Sequence, residues 1–195
     1  MNQAKAPMSV LEAIDQRRSV RSYIPHKLDW PTINSLLAAA VRAPSAVHEE
    51  PWAFVVVQDP EVLKRVSDRA RLAFADQPHA DLLARGGHAL DIFASPDFNI
   101  FYNAGTLIVI GTQLTGPFVV ADCWLAAENL MLAAYATGLG SCVIGSAVPV
   151  LNLAEVRDEL GIPSDFFAVA PIVVGVPKGE TPPTSRKDPR VLAWT

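Results

Sequence analysis

Between residues 17 and 22 the chain places three arginines and two serines, in the run Arg17-Arg18-Ser19-Val20-Arg21-Ser22 followed by Tyr23. Guanidinium groups offer paired donors and hydroxyls add neutral ones, a combination that can wrap a phosphate monoester. Basic residues at the end of a short helix also oppose its macrodipole. The motif alone leaves both roles open.

A second group is the loop Ala43-Pro44-Ser45-Ala46-Val47-His48-Glu49-Glu50-Pro51-Trp52. Bounded by prolines, it can hold polar side chains against a ligand, or be a surface turn with Trp52 in the core. A third is Gly138-Leu139-Gly140-Ser141-Cys142-Val143-Ile144-Gly145-Ser146. A dinucleotide fingerprint needs a strand before its glycines, a helix after them and a third glycine where Val143 stands, so that reading fails. Gly138 and Gly140 read as a helix C-cap. Gly145 and Ser146 end a strand, where bare amides can face a flat ligand. Arg186 is a lone basic residue in the tail, ordinarily solvated. The histidines form no cluster and Ser45 sits in no G-x-S-x-G elbow, so neither a metal site nor a hydrolase triad is supported.

The elements that must carry these groups follow from caps and periodicity. Ser9 with Glu12 fits a capping box, opening a short helix with Val10, Leu11 and Ile14 on its apolar side. Asp29 caps a second helix with Pro31 in its first turn, stopped by Pro44. Strands are expected at 53–58, 106–111, 141–144 and 167–176. A third helix starts at 59–61 and ends near Phe74 or Ala75. The strongest helix is 119–137, ended by Gly138. Asn152 is expected to cap a helix through Leu160, with Gly161 and Pro163 as stop signals. Residues 76–99 hold Pro78, Gly86, Gly87 and Pro96 and predict a broken helix; the tail 177–195 should be extended. Interleaved helices and strands make the class α+β or α/β. Strands that are nearly all apolar put the sheet inside, with helices on both faces.

The chain of 195 residues is half hydrophobic and 18% charged, enough for one domain spanning 1–195 with a sizeable core. Its net charge of −4 disfavours nucleic acid as a partner. The mean hydropathy of +0.24 hints at apolar surface buried between subunits. The apolar stretch 118–138 contains Asp122, Glu128 and Asn129 and makes a poor membrane span. No signal-peptide core precedes Ser9, and Cys123 and Cys142 read as buried free thiols, so a cytoplasmic location is expected.

Taken together the motifs resemble the nitroreductase family of FMN-dependent enzymes. RRSVRSY resembles R-R-S-x-R-x-[FY]. APSAVHEEPW resembles P-S-x-x-N-x-Q-P-W, and FYNAGTLIVI resembles F-x-x-A-P-x-x-I. DCWLAAENLMLAAYATGLGSCVIGS matches the family's long central helix and following turn, and PIVVGVPKGE with SRKDPRVLAW resembles its closing strand and terminal basic residue. The matches keep family order across the chain, except about residues 65–98.

The resemblance implies an α+β fold with a mostly antiparallel central sheet, flanking helices and a long central dimer helix. It implies a homodimer with two FMN sites at the interface. Arg17, Ser19 and Arg186 would hold the phosphate, with Arg18 at a position that varies in the family. Arg21 would lie near the flavin N1–O2 edge, where a fixed guanidinium stabilises the anion of a reduced flavin. Pro44, Ser45, Ala46 and His48 would come from the other subunit, and Gly145 and Ser146 would set backbone amides by N5. No side chain need act as acid or base, because the chemistry belongs to the cofactor. His48 stands at the usual asparagine and Glu50 at the usual glutamine. Gly105 replaces a common proline, read as structural. The expected activity is ping-pong reduction of a nitroaromatic, quinone or similar small acceptor by NADH or NADPH. The alternatives are a flavin-binding or sequestering module, a specialised dehalogenase or enoate reductase on the same fold, and a flavin-free interaction protein.

Overall fold

Capping side chains fix where the first helices begin. In the computed structural model, which describes residues 8–75, 92, 93 and 95–195, Ser9 and Glu12 close both halves of the capping box that opens α1 (Val10–Gln16). The Asp29 carboxylate accepts from Thr32 N at 3.0 Å to open α2 (Trp30–Ala40). Asp59 accepts from Glu61 N and Val62 N ahead of α3 (Pro60–Ala75). Most of the stretch expected to be a broken helix lies outside the described residues.

Four strands, β1 (Trp52–Val57), β2 (Thr106–Thr112), β3 (Gly140–Val143) and β4 (Phe167–Gly175), form one antiparallel sheet in the order β1-β2-β4-β3. The period of two sorts the side chains. Ile108, Ile110 and Ile172 face α2 and the long α4 (Val119–Ala136). Leu107, Val109 and Val173 face α3 and two short helices, α5 (Val148–Leu151) and α6 (Ala154–Leu160). Each fully buried isoleucine or leucine here contributes about 1.5–3 kcal/mol. The sheet is therefore covered on both faces, as its apolar strands required.

By length and composition α4 could cross a bilayer, yet its Cys123, Ala126, Ala127 and Leu130 are buried against the sheet. Its other side leaves Phe118, Val120, Trp124 and Leu125 exposed. The helix ends in a Schellman turn: Gly138 takes φ +83°, and Leu139 N donates to Ala134 O at 2.8 Å. Gly140 corrects the sequence expectation. It belongs to β3 rather than to the cap, and a Cβ there would lie 2.7 Å from Val20 Cγ2.

Asn152 is a second correction. The helix that follows has Leu153 at its N-cap with no side-chain cap. Asn152 instead donates to Val148 O and Ala168 O and accepts from Ala168 N, tying α5 to β4. Beyond Gly175 the chain pairs with the 22–24 segment and then runs extended, leaving Val191, Leu192 and Trp194 exposed.

Candidate active site

The arginine segment begins where α1 stops. Arg17 N still donates to Ala13 O, and the Arg18 guanidinium donates to Asp15 O and Arg17 O. Arg18 thus meets the orphan carbonyls of the helix end, the role the macrodipole favours. The chain then threads between strands. Ser19 bridges Ser141 in β3, Val20 N donates to Ser141 O, and Tyr23 bridges Pro177 just past β4. Tyr23 is buried and its hydroxyl donates to Val20 O at 2.8 Å.

This threading sets Arg18, Ser19, Arg21 and Ser22 opposite Lys178 and Arg186, across a groove of about 500 Å³. Four cations face one carboxylate, Glu180, so the groove suits an anion. A slightly larger cavity of about 530 Å³ lies between residues 25–27, α3 and residues 96–105. Its cations and carboxylates are mixed, Lys64 is paired with Asp68 at 2.6 Å, and no sequence-predicted site residue lines it. Of the two, the cationic groove is the one that sequence-predicted site residues line.

Arg17 does not line the groove. Its Nε lies 3.4 Å from Glu128 Oε1 on α4, an ion pair without hydrogen-bond geometry. Among the described residues the Nε atoms of Arg17 and Arg18 and the Ser141 hydroxyl are buried with no hydrogen-bond partner. Of these only Arg18 lines the groove, where its free Nε is a donor that a phosphate would satisfy; the Nε atoms of Arg71 and Arg157, which do not line it, are unpartnered as well. Arg21 sits against Tyr102 and Cys142. Burial pushes the Tyr102 phenol up, and the nearby Cys142 adds to the rise, while the Arg21 guanidinium pulls it back down. Burial also raises the Cys142 thiol, against the opposing pull of Arg21, a hydrogen bond from Ser19, and Arg17.

At the end of β3, Ile144 N donates to Pro171 O, and a single 3-10 turn, Gly145–Ala147, follows. A Cβ placed on Gly145 meets nothing within 4 Å, so this strand end is open to a flat ligand.

The loop with Pro44, Ser45, Ala46 and His48 is not brought to this groove within the protomer. It forms a 3-10 turn, Ala46–His48, in which Val47 and His48 take positive φ, at 48° and 59°, as does Glu50 just past it, at 49°. Left-handed backbone is rare for non-glycine residues and rarest for a β-branched one such as Val47. Ser45 Oγ accepts from Glu50 N, and Asp122 Oδ2 accepts from Ala46 N at 3.1 Å. His48 Nε2 lies 3.4 Å from Glu50 Oε1, both side chains pointing into solvent. Sequence reasoning missed Lys178, Tyr102, Asp122 and Glu128. Lys178 and Asp122 carried a signal, a cation just past a strand and a carboxylate in an apolar helix. Nothing local marked Tyr102 or Glu128.

The protein thus combines an α+β fold on an antiparallel sheet with a cationic groove built on the segment that bridges β3 and an exposed end of that strand at Gly145. The profile of the Nitroreductase family matches residues 14–176, and the chain belongs to that family, a class of NAD(P)H-linked flavin enzymes. It is 32% identical over 170 residues to a protein of Archaeoglobus fulgidus named as an NADH dehydrogenase/NAD(P)H nitroreductase, covering 87% of this chain and 86% of that one. The crystal structure of a Bacteroides fragilis nitroreductase with bound FMN superposes with a TM-score of 0.76 at 29% identity, covering 96% of this chain and 98% of that one. An iodotyrosine deiodinase bound to FMN and 3-iodo-L-tyrosine shares the fold, with a TM-score of 0.76 at 23% identity over 96% of this chain and 100% of that one.

Proposed function

We propose that the chain is an FMN-dependent NAD(P)H oxidoreductase that reduces small aromatic or conjugated acceptors such as nitroaromatics and quinones. The observation that carries the reading is the anion groove of Arg18, Ser19, Arg21, Lys178 and Arg186, built on a segment that bridges β3, the strand that Gly145 follows. In this reading Arg17, Ser19 and Arg186, with Arg18, hold the phosphate of FMN. Arg21 sets its positive charge at the N1–O2 edge of the ring, where negative charge collects on reduction. The amides of Gly145 and Ser146 orient the ring at N5. Bound FMN supplies hydride transfer at N5, first from NADH or NADPH and then to the acceptor.

Pro44, Ser45, Ala46 and His48 come to the site from a second subunit. A homodimer is favoured by the exposed side of α4, with Val120, Trp124 and Leu125, and by the extended tail, where Trp194 is 93% exposed. Cytoplasmic residence is favoured by two free, buried thiols.

One observation favours a second reading. His48 and Glu50 pair with each other where the family's motif carries two amides. A carboxylate near the ring would make reduction harder, which suits a flavin-binding module or a specialised dehalogenase or enoate reductase. The visible spectrum of the purified protein, before and after anaerobic NADH and then NADPH, separates the two. A yellow protein that bleaches and then turns over nitroaromatics or quinones supports the reductase, whereas turnover only with halogenated or unsaturated acceptors supports the specialised enzyme. A yellow protein that neither nucleotide bleaches supports the second reading, and a colourless one that ignores added FMN removes both.

A further inference from the structure

Asp122 is a carboxylate with no evident business in α4. The helix is otherwise apolar around it, and Asp122 is only 4% exposed. Burying such a group is unfavourable unless it is bonded, and the first turn of a helix offsets only part of that cost. Its Oδ2 accepts from a backbone amide 76 residues away, Ala46 N, at 3.1 Å. That amide opens the turn in which Val47 and His48 are left-handed, as is Glu50 just past it. Val47 is 94% exposed, so no packing within the protomer explains the conformation. From within the loop the turn is held by its backbone bonds, His48 N to Ser45 O and Glu49 N to Ala46 O, and by the Ser45 hydroxyl at Glu50 N; from outside it is held by the Asp122 carboxylate at Ala46 N.

We propose that Asp122 is a positioning residue of the flavin site. By accepting from Ala46 N it fixes the 45–50 turn to α4, in the shape with which one subunit covers the flavin of the other. The inference rests on the flavin reading given above. It adds a residue that touches neither cofactor nor substrate and acts through Ala46. Strained backbone persists where its surroundings over-determine it, and it concentrates at ligand contacts. A buried carboxylate on a rigid helix, rather than on another loop, is a suitable anchor for such a contact.

The test compares three variants. Asp122→Asn keeps an acceptor oxygen in the same place, whereas Asp122→Ala and Asp122→Leu remove it, the leucine also filling the space. The readouts are FMN affinity by fluorescence quenching and the visible circular dichroism of bound flavin, with dimer content checked for each. Asp122→Ala and Asp122→Leu should weaken FMN about tenfold or more and change the flavin dichroism, while Asp122→Asn restores both. Folded variants with unchanged affinity and dichroism overturn the proposal. If Arg17→Ala still weakens FMN in that case, the flavin reading survives without it. A wild-type protein that takes up no FMN overturns both. Should the acceptor-less variants fail to fold, amide exchange at Ala46 in the wild-type protein decides. Protection that rises when FMN is added supports the coupling, and protection that FMN leaves unchanged overturns it.

Discussion

Arg17 and Glu128 form an ion pair across the junction of α1 and α4, Nε to Oε1 at 3.4 Å. Glu128 is partly exposed, and a pair of that kind contributes no more than about 1 kcal/mol. In the proposed reading a phosphate, with more charge and more acceptor oxygens, would draw the guanidinium away from Glu128. Arg17→Ala should therefore weaken FMN by roughly 1.5–3 kcal/mol, the scale of a lost charged hydrogen bond. Glu128→Gln should leave affinity unchanged or tighten it. Fluorescence titration of apoprotein with FMN reads both, and unchanged affinity in Arg17→Ala would take Arg17 out of the phosphate site.

His48→Asn restores the family's usual amide at a position whose backbone is already left-handed, at φ 59°. Asparagine tolerates that region well, so the turn should keep its shape and FMN its affinity. The substitution also breaks the pairing with Glu50. The flavin potential should then shift while binding does not, as potentiometric titration of the two holoproteins would record. Complete loss of flavin from His48→Asn would mean that His48 has a role an amide cannot fill.

Much of this architecture was legible because its signals are local. Ser9 with Glu12, Asp29 and Asp59 each act within three residues of themselves, and each caps the helix it was expected to open. Apolar strands with period two, and the glycine that ends α4, are equally local. What escaped the sequence is long-range. Asn152 reads as a cap by type and place, yet its bonds go to Ala168 on β4. Gly140 reads as part of a helix stop, yet it is small because Val20 crosses over it. The arginine cluster was visible as chemistry, but its partners, Lys178 across the groove and Glu128 on α4, depend on the strand order. Nothing local marks Tyr102 beside Arg21, and Asp122 stands out as a carboxylate in an apolar helix while its partner Ala46, 76 residues away, does not.

Gly105 stands where the family often has proline, and its surroundings show why a ring does not fit here. A Cβ at Gly105 would lie 2.2 Å from His26 O and 2.4 Å from His26 C, both backbone atoms. The 26–28 segment is pinned in turn, since Leu28 N donates to Thr106 Oγ1 and Gln58 donates to Leu28 O. Gly105→Ala should therefore cost about 1–3 kcal/mol or more through overpacking. Urea unfolding measures it directly. A variant as stable as the wild type would mean that the 26–28 segment yields freely.

Cys123 supplies a pH signature. Burial, reinforced by the neighbouring Asp122 charge, pushes its thiol up to about 11 from an ordinary value of 9.0. A group whose pKa is higher folded than unfolded holds its proton longer in the folded state. The unfolded chain then binds fewer protons between pH 9 and 11, so stability is complete below pH 9 and falls as pH rises through that window. Cys142 is shifted in the same direction and adds to the fall. Cys123→Ala should flatten part of the decline in the urea midpoint between pH 9 and 11. The folded wild-type protein should also react slowly with a thiol reagent at pH 8, with both thiols released on unfolding. Rapid modification of Cys123 in the folded protein would contradict its burial between α4 and the sheet.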